Sequence, residues 1–378
     1  KNHFDNLFLR KWKNYYLYYF ACLWVLFYYF YKKNMYRFIL LLFSIAILFS
    51  CKKEEVKDPV LADNYGNGMY VVTSSGVSYV DIFNNSVVQN NIFQQVNQAS
   101  ILSPKSIKLY ENRAYIVGNR LYVVDINTFG LVAEIGGFQN SVACDIVSQN
   151  RAFVLDKGES MIKLVDLNNF NIVKDIETGD STKPQFIISK PYTESSFILN
   201  GGGVGQSKKD STLVIVRYQD INVPLSEISA VVELGYNPSS AVISGYYIIV
   251  LCRGIYNPND LSNNLESSIY SVHVADHFIK NNFPITLQNI YNADNLLSNW
   301  DGSIFYFTAN DASGNGGVYI LDPVNYNYNL YLNVPSDILA LTVEQYADTD
   351  TTFSYTNIMY MNDVNNPNMI YKYNIGSS

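Results

Sequence analysis

Short apolar runs rich in Val, Ile, Leu, Tyr and Phe recur from residue 64 to the end of the chain, separated by Gly, Asn, Asp and Pro. Runs bounded by turn formers read as strands, and no convincing amphipathic helix competes with them. The clearest unit is a strand, a turn and a second strand that often ends in Asp. It reads Met69–Val72 with Val77–Asp81, Ala114–Val117 with Leu121–Asp125, and Ala152–Leu155 with Ile162–Asp166. Weaker copies are Ser196–Leu199 with Leu213–Val216, Tyr247–Val250 with Ile269–Val272, Ile304–Phe307 with Val318–Asp322, and Ile358–Met361 with Ile370–Tyr373.

Aligned on Tyr70, Tyr115, Phe153, Phe197, Tyr247, Phe305 and Met359, the seven hairpins stand 38 to 58 residues apart, with a mean of about 48. An all-strand repeat of this length predicts propeller blades, whose radial stacking buries both faces of each sheet. Outer strands are expected at Gly130–Ile135 and Asn171–Ile176, and an inner one at Ser240–Ser244. The predicted fold is all-β, a seven-bladed β-propeller with six or eight blades as alternatives. The first repeat lacks a clear inner strand and the last lacks an outer one.

The amino-terminal fifty residues follow another pattern. Fourteen of the chain's 56 aromatic residues lie in residues 1–34, in runs such as Tyr15-Tyr16-Leu17-Tyr18-Tyr19-Phe20. That run has no Leu/Ile/Val centre of the kind a membrane span needs. Phe, Tyr, Lys, Asn and Leu all have A/T-rich codons, so residues 1–34 are read as translated upstream DNA, with synthesis expected to start at Met35. From there Arg37 supplies a positive n-region, Phe38–Phe49 an apolar h-region, and Leu48-Phe49-Ser50-Cys51 a processing site. This resembles the lipobox of a bacterial lipoprotein, which implies acylation of Cys51. The expected division is therefore 1–34, a signal peptide at 35–50, the lipidated Cys and tether at 51–63, and the propeller at 64–378.

Charge narrows the class of partner. The chain carries 26 Lys+Arg and 33 Asp+Glu, with seven of the bases and one of the acids in residues 1–50. The remainder has a formal charge of −13. Such a balance disfavours nucleic acids and anionic lipid surfaces, so membrane attachment is expected through the acyl chains.

Three stretches resemble the YVTN/YncE-like propeller repeat: Tyr122–Ile126 followed by Ala133–Gly136, Leu164–Leu167 followed by Asp175–Gly179, and Glu233–Pro238. Together with the lipobox and the Gly68-Met69-Tyr70-Val71 opening, the chain is similar to surface lipoproteins of the Bacteroidetes type. Lys52-Lys53-Glu54-Glu55 resembles their export signal to the outer face of the outer membrane. The resemblance implies a rigid ligand-binding disc working beside a TonB-dependent receptor, with a small-molecule nutrient of the cobalamin type as one cargo.

Candidate chemistry is sparse. Asp81, Asp125, Asp166 and Asp322 each end a strand and are read as turn caps. His273-x-x-x-His277 would align on a helix; along a strand four residues advance about 13 Å, so shared metal ligation is not expected. Asp311–Gly316 and Asp348–Asp350 are oxygen-rich but lack calcium-loop spacing. Asn200–Gly205 matches no phosphate-loop fingerprint, and Cys144 and Cys252 are expected to be buried, unpaired thiols. No catalytic residue, metal or cofactor is assigned.

Loop length says more. The hairpin connections lengthen to 200–211, 252–267, 309–316 and 362–368 in repeats 4 to 7, all on one face of a propeller. There Asn200, Gln206, Arg253, Tyr256, Asn257, Asn310, Asp311 and Asn362 are the candidate ligand-binding residues, combining a charge, an aromatic plane and amides. The expected protein is a non-catalytic capture or interaction module. A propeller enzyme (lyase or hydrolase) and a cell-envelope adhesion or scaffolding protein are the alternatives.

Overall fold

A computed structural model of the chain describes residues 64–66, 68–81, 88–179, 183–190, 194–201, 210–218, 226–257, 261–299, 301–334, 337–343 and 358–375. The expected segments 1–34, 35–50 and 51–63, Cys51 included, lie outside the described residues, as do Gln206 and Asp348–Asp350.

Seven antiparallel sheets follow one another along the chain. Blade 1 holds β1 (Gly68–Thr73), β2 (Gly76–Asp81) and β3 (Val88–Gln89), and a short helix α1 (Ile92–Asn97) leads onward. Blade 2 holds β4 (Ser106–Tyr110), β5 (Arg113–Val117), β6 (Leu121–Asp125) and β7 (Leu131–Ile135). Blade 3 holds β8 (Ser141–Ser148), β9 (Arg151–Asp156), β10 (Met161–Asp166) and β11 (Asn171–Glu177). Blade 4 holds β12 (Pro184–Lys190), β13 (Ser195–Asn200), β14 (Thr212–Tyr218) and β15 (Ser226–Glu233). Blade 5 holds β16 (Pro238–Ser244), β17 (Tyr247–Cys252), β18 (Ser268–His273) and β19 (Ile285–Thr286). Blade 6 holds β20 (Ile290–Ser298), β21 (Phe305–Asp311), β22 (Gly316–Leu321) and β23 (Tyr328–Val334). Blade 7 holds β24 (Ile338–Val343), β25 (Ile358–Asp363) and β26 (Tyr371–Asn374).

Within each sheet the strands lie side by side in chain order. The first strands β4, β8, β12, β16, β20 and β24 touch in succession and form the inner rim. This is the seven-bladed β-propeller expected from the repeat. Among the described residues blade 1 has no strand before β1 and blade 7 none after β26, so both incomplete ends read from the sequence recur in the fold.

Burial explains the strand patterns. The second and third strands of a blade face a neighbour on each side, so β13 reads Ser-Ser-Phe-Ile-Leu-Asn and is buried throughout. Alternate residues simply go to opposite neighbours. In β5, Ala114 and Ile116 pack with blade 1 around Tyr79 and Phe93, whereas Tyr115 and Val117 pack with blade 3 around Val154 and Val165. Outer strands are half wet, and β11 alternates exposed and partly buried positions until Ile176.

The alignment of repeats needs correction at the end of the chain. Phe153 and Phe197 pack forward, onto blades 4 and 5 respectively. Phe305 instead packs back onto blade 5, and Tyr306 takes the forward position; Met359 likewise packs back onto blade 6. A one-residue offset reverses the face a side chain meets, so apolar content alone could not align these two repeats.

Asp125, Asp166 and Asp322 cap turns, as expected; the turn after Asp81 lies outside the described residues. Asp125 Oδ1 accepts from Asn127 N and Thr128 N at 3.0 Å each. Asp166 Oδ1 accepts from Asn168 N at 2.8 Å and Asp322 Oδ1 from Val324 N at 2.7 Å. Each turn then places an aromatic residue, Phe129, Phe170 or Tyr326, in the left-handed region.

The histidine pair departs from the extended spacing expected. β18 ends at His273 and the chain turns, so His277 N donates to His273 O at 3.0 Å. His273 Nδ1 lies 3.1 Å from Asp276 Oδ2 and its ring stacks on Phe278 at 5.0 Å. Burial and the nearby Arg217 charge hold the His277 imidazole below its usual pKa. Cys144 and Cys252 are buried free thiols, each pushed up to about 12 by burial.

Candidate functional site

A four-strand meander puts the connection between its second and third strands on the same face as the link to the next blade. On this face the longest connection between a second and a third strand belongs to blade 5. Its loop runs from Arg253 to Ser267, with residues 258–260 outside the described set. Ile255 and Leu265 exchange backbone hydrogen bonds of 2.9 and 2.8 Å, so the loop is itself pinned as a small hairpin. Gly254 makes the entry possible. Its φ is +71°, and a Cβ there would stand 2.1 Å from Leu265 O.

Arg253 is held by its backbone from both sides. Its N donates to Asn237 O at 3.0 Å, and its O accepts from Asn292 N at 3.1 Å and Ser267 Oγ at 2.7 Å. The guanidinium Nη2 pairs with Asp294 Oδ2. Asp294 reaches it because β20 is bulged twice, with register shifts between Tyr291 and Asp294 and between Asp294 and Leu297. Asn292 and Asn295 both adopt φ of 53°, a conformation Asn tolerates and most residues resist. Asp294 Oδ1 accepts from Asn295 N at 2.8 Å, so both oxygens are engaged.

Tyr256 extends the cluster. Its ring lies 5.3 Å from that of Tyr291, tilted by 34°. A Cβ added to Gly314 would meet the Tyr256 hydroxyl oxygen at 3.0 Å, which places that hydroxyl over the β21–β22 turn of blade 6. Burial raises its phenol, and the Asp311 and Asp337 carboxylates raise it further. That turn spans only residues 312–315, shorter than the 309–316 expected, because β21 continues to Asp311. Asp311 Oδ1 accepts from Ser313 N at 2.8 Å and Asn315 N at 2.9 Å, and Oδ2 accepts from Asn315 Nδ2 at 3.0 Å. Burial works to raise this carboxyl, but the bonds from the turn outweigh it and hold it below its ordinary value.

Asn310 Nδ2 donates to Asp337 Oδ1, and Asp337 O accepts from Val364 N at 2.9 Å, linking blades 6 and 7. Asn257 N donates to Asn264 Oδ1 at 2.7 Å within the blade 5 loop. Arg253, Tyr256, Asn257, Asn310 and Asp311 thus share one patch. Asn362 lies a blade further on, with Nδ2 donating to Pro367 O at 3.3 Å. Asn200 lies on blade 4, fully buried, with Nδ2 donating to Thr212 Oγ1 at 2.9 Å. The Oδ1 atoms of Asn200 and Asn362 are buried and accept no hydrogen bond among the described residues.

Tyr291, Asp294 and Asp337 belong to the patch and were not among the sequence candidates. One signal was present. Ile290, Ala293 and Leu296 are the buried positions of β20, a period of three that neither a regular strand nor a helix produces. The patch offers an ion pair, two phenols and amides, the equipment for hydrogen bonding and stacking. Among the described residues no group of three or more His, Cys, Asp or Glu side chains could hold a metal ion, and no helix is long and apolar enough to cross a membrane.

The fold and this face define a β-propeller protein. The Cps50 (Swd1) β-propeller domain of Myceliophteria thermophila matches with a TM-score of 0.59 at 9% identity, over 85% of this chain and 98% of that one. A quinoprotein alcohol dehydrogenase-like protein of Bacteroides thetaiotaomicron matches with a TM-score of 0.54 at 11% identity, over 79% of this chain and 70% of that one. Hydrazine synthase of Kuenenia stuttgartiensis matches with a TM-score of 0.55 at 13% identity, over 69% and 74%. Likeness at such identities speaks to fold alone. No protein-family model and no curated protein sequence matches the chain.

Proposed function

We propose that the protein is a non-catalytic capture or interaction propeller, anchored through Cys51 at the outer face of the outer membrane. It presents the patch on blades 5 to 7 to a small neutral or amphipathic ligand and works beside a TonB-dependent receptor. One observation carries the binding reading. The double bulge of β20 brings Asp294 and Tyr291 from blade 6 against Arg253 and Tyr256 from blade 5. Bulges that re-aim side chains mark functional rims, and a site held by such a frame loses little entropy on binding. The lipobox-like Leu48–Cys51 and the charged Lys52–Glu55 support the anchor and its exposure.

The test is a binding screen of the purified protein against corrinoids, haem and neutral glycans. Tight binding lost in Arg253→Ala with Tyr256→Ala supports capture. Turnover of a screened compound, abolished by a chelator, replaces this reading with that of a propeller enzyme. Radiolabelled fatty acid that fails to enter the protein in cells, or enters a Cys51→Ala variant, removes the anchor.

A further inference from the structure

On the face opposite that patch, a cavity of about 420 Å³ opens between blades 2 and 3. It is framed by the turns 111–112 and 149–150 and by the turn that ends in Phe170. The equivalent wedge is filled in two other places among the described residues. Between blades 1 and 2 the turn aromatic Phe129 packs on Tyr70 at 5.6 Å and Tyr65 at 5.8 Å. Between blades 5 and 6 the turn aromatic Tyr326 meets Phe283 at 4.8 Å, with Lys280 Nζ 5.3 Å from its ring. Between blades 2 and 3, Phe170 meets the guanidinium of Arg113 at 5.7 Å.

Arg113 is unusual in what it does not bind. Register places it opposite Asp125, just as Arg151 stands opposite Asp166 one blade later. Arg151 closes on its partner at 2.5 Å. Asp125 spends its Oδ1 on its own turn, and Arg113 forms no ion pair among the described residues. Its guanidinium lies instead by the Tyr115 hydroxyl and over Phe170, inside the cavity. The one acid on the lining, Glu111, is exposed and hydrogen-bonds the Tyr110 phenol. Around the mouth the side-chain amides of Asn112, Gln149, Asn150 and Asn168 make no hydrogen bond with other described side chains or backbone.

We propose that this cavity binds a small carboxylate-bearing polyol, such as a uronic acid or a sugar-derived hydroxy acid. The Arg113 fork takes the carboxylate side-on; its charge helps hold the Asp125 carboxyl below the usual range, but no salt bridge to it forms among the described residues. Tyr115 adds a hydroxyl beside it, Phe170 and Tyr110 supply apolar wall, and the amide mouth matches hydroxyl groups that both donate and accept. This site is independent of the patch on blades 5 to 7.

Titration of the full-length protein with D-glucuronate, D-glucose and acetate, followed by saturation-transfer NMR and calorimetry, tests it. D-Glucuronate is expected to bind at about millimolar Kd or tighter, with glucose and acetate at least about tenfold weaker. Arg113→Gln and Asn168→Asp should each weaken glucuronate by about tenfold or more. Arg120→Gln removes the same charge from the other face of blade 2 and should leave binding unchanged. Asn168 is exposed, so its variant probes the site even if Arg113→Gln unfolds. No binding of glucuronate at about 20 mM overturns the proposal. So does equal binding of acetate, which would mean a bare anion site, or an equal loss in Arg120→Gln.

Discussion

Arg151 Nη1 stands 2.5 Å from Asp166 Oδ2, directly opposite it on the neighbouring strand and largely shielded from solvent. The pair joins the start of β9 to the turn after β10, whose backbone N–H groups Asp166 also accepts. Burial works against ionisation of this carboxyl, but the bonds from Asn169 and Asn168 and the Arg151 charge hold it below the usual carboxylate range. A depressed pKa contributes stability above the unfolded value, and that stability is lost as pH falls through the folded one. Asp166→Asn is therefore expected to cost roughly 1–3 kcal/mol near neutral pH, shrinking below about pH 4. Urea unfolding across pH measures this; a difference that grows on acidification contradicts it.

Phe153 and Phe170 separate core from surface in the same blade. Phe153 is fully buried among Leu155, Ile198 and Val216 at the blade 3–4 interface, whereas Phe170 borders the cavity. Phe153→Ala should destabilise by roughly 3–5 kcal/mol, the range for a large buried ring. Phe170→Ala should cost less. Thermal unfolding of the two variants decides, and a larger loss for Phe170 would mean that the wedge is structural.

Gly254→Ala should damage the blade 5 loop twice. The new Cβ meets Leu265 O and Glu266 O, and φ of +71° is strained for any L side chain. A loss of roughly 1–3 kcal/mol is expected, together with weaker binding at the patch. Gly245→Ala is the comparison. Its φ is +58° but nothing lies within 4 Å, so it should cost less.

Arg253 and Asp294 are only partly shielded, so their pair should be worth little on its own. A double-mutant cycle with Arg253→Ala and Asp294→Ala is expected to give coupling of about 0.5–1 kcal/mol in stability, falling with added salt. Coupling beyond about 3 kcal/mol, or none at all, would show that this geometry does not hold in solution.

Cys144 and Cys252 should resist a thiol reagent at about pH 8 in the native protein and react in denaturant, since burial raises both thiols to about 12. Mass mapping of labelled peptides checks each site. Native labelling at Cys252, buried at the end of β17, would report opening of blade 5.

Much of the architecture was legible in residue pattern because propeller packing is local. A strand squeezed between two neighbours needs apolar residues on both faces, so Leu121–Val124 and Leu213–Val216 announce themselves. Asp125, Asp166 and Asp322 each cap their own turn, a bond between residues two or three apart that sequence displays directly. The blade 5 loop stood out by length, and Arg253 and Tyr256 with it.

Other features were hidden for definite reasons. Asp294 and Tyr291 lie on an inner strand whose two bulges replace the period of two by one of three, which hides a strand from an alternation search. The repeat frame slipped by one at Phe305 and Met359, because each is followed by a residue equally able to fill an aromatic position.

The sequence by itself determined the blade repeat, the caps at Asp125, Asp166 and Asp322, the two incomplete ends and the long blade 5 loop, since each depends on neighbours within one repeat. Tertiary structure alone decided what lies between repeats. It sent Arg113 across to Phe170 of the next blade, whereas Arg151, at the same register position, stays on Asp166 of its own. It also closed the wedges beside Phe129 and Tyr326 while leaving a cavity beside Phe170. The physical reason is that these inter-blade contacts join side chains 43 to 64 residues apart, and their fit depends on how two sheets stack rather than on either strand's pattern.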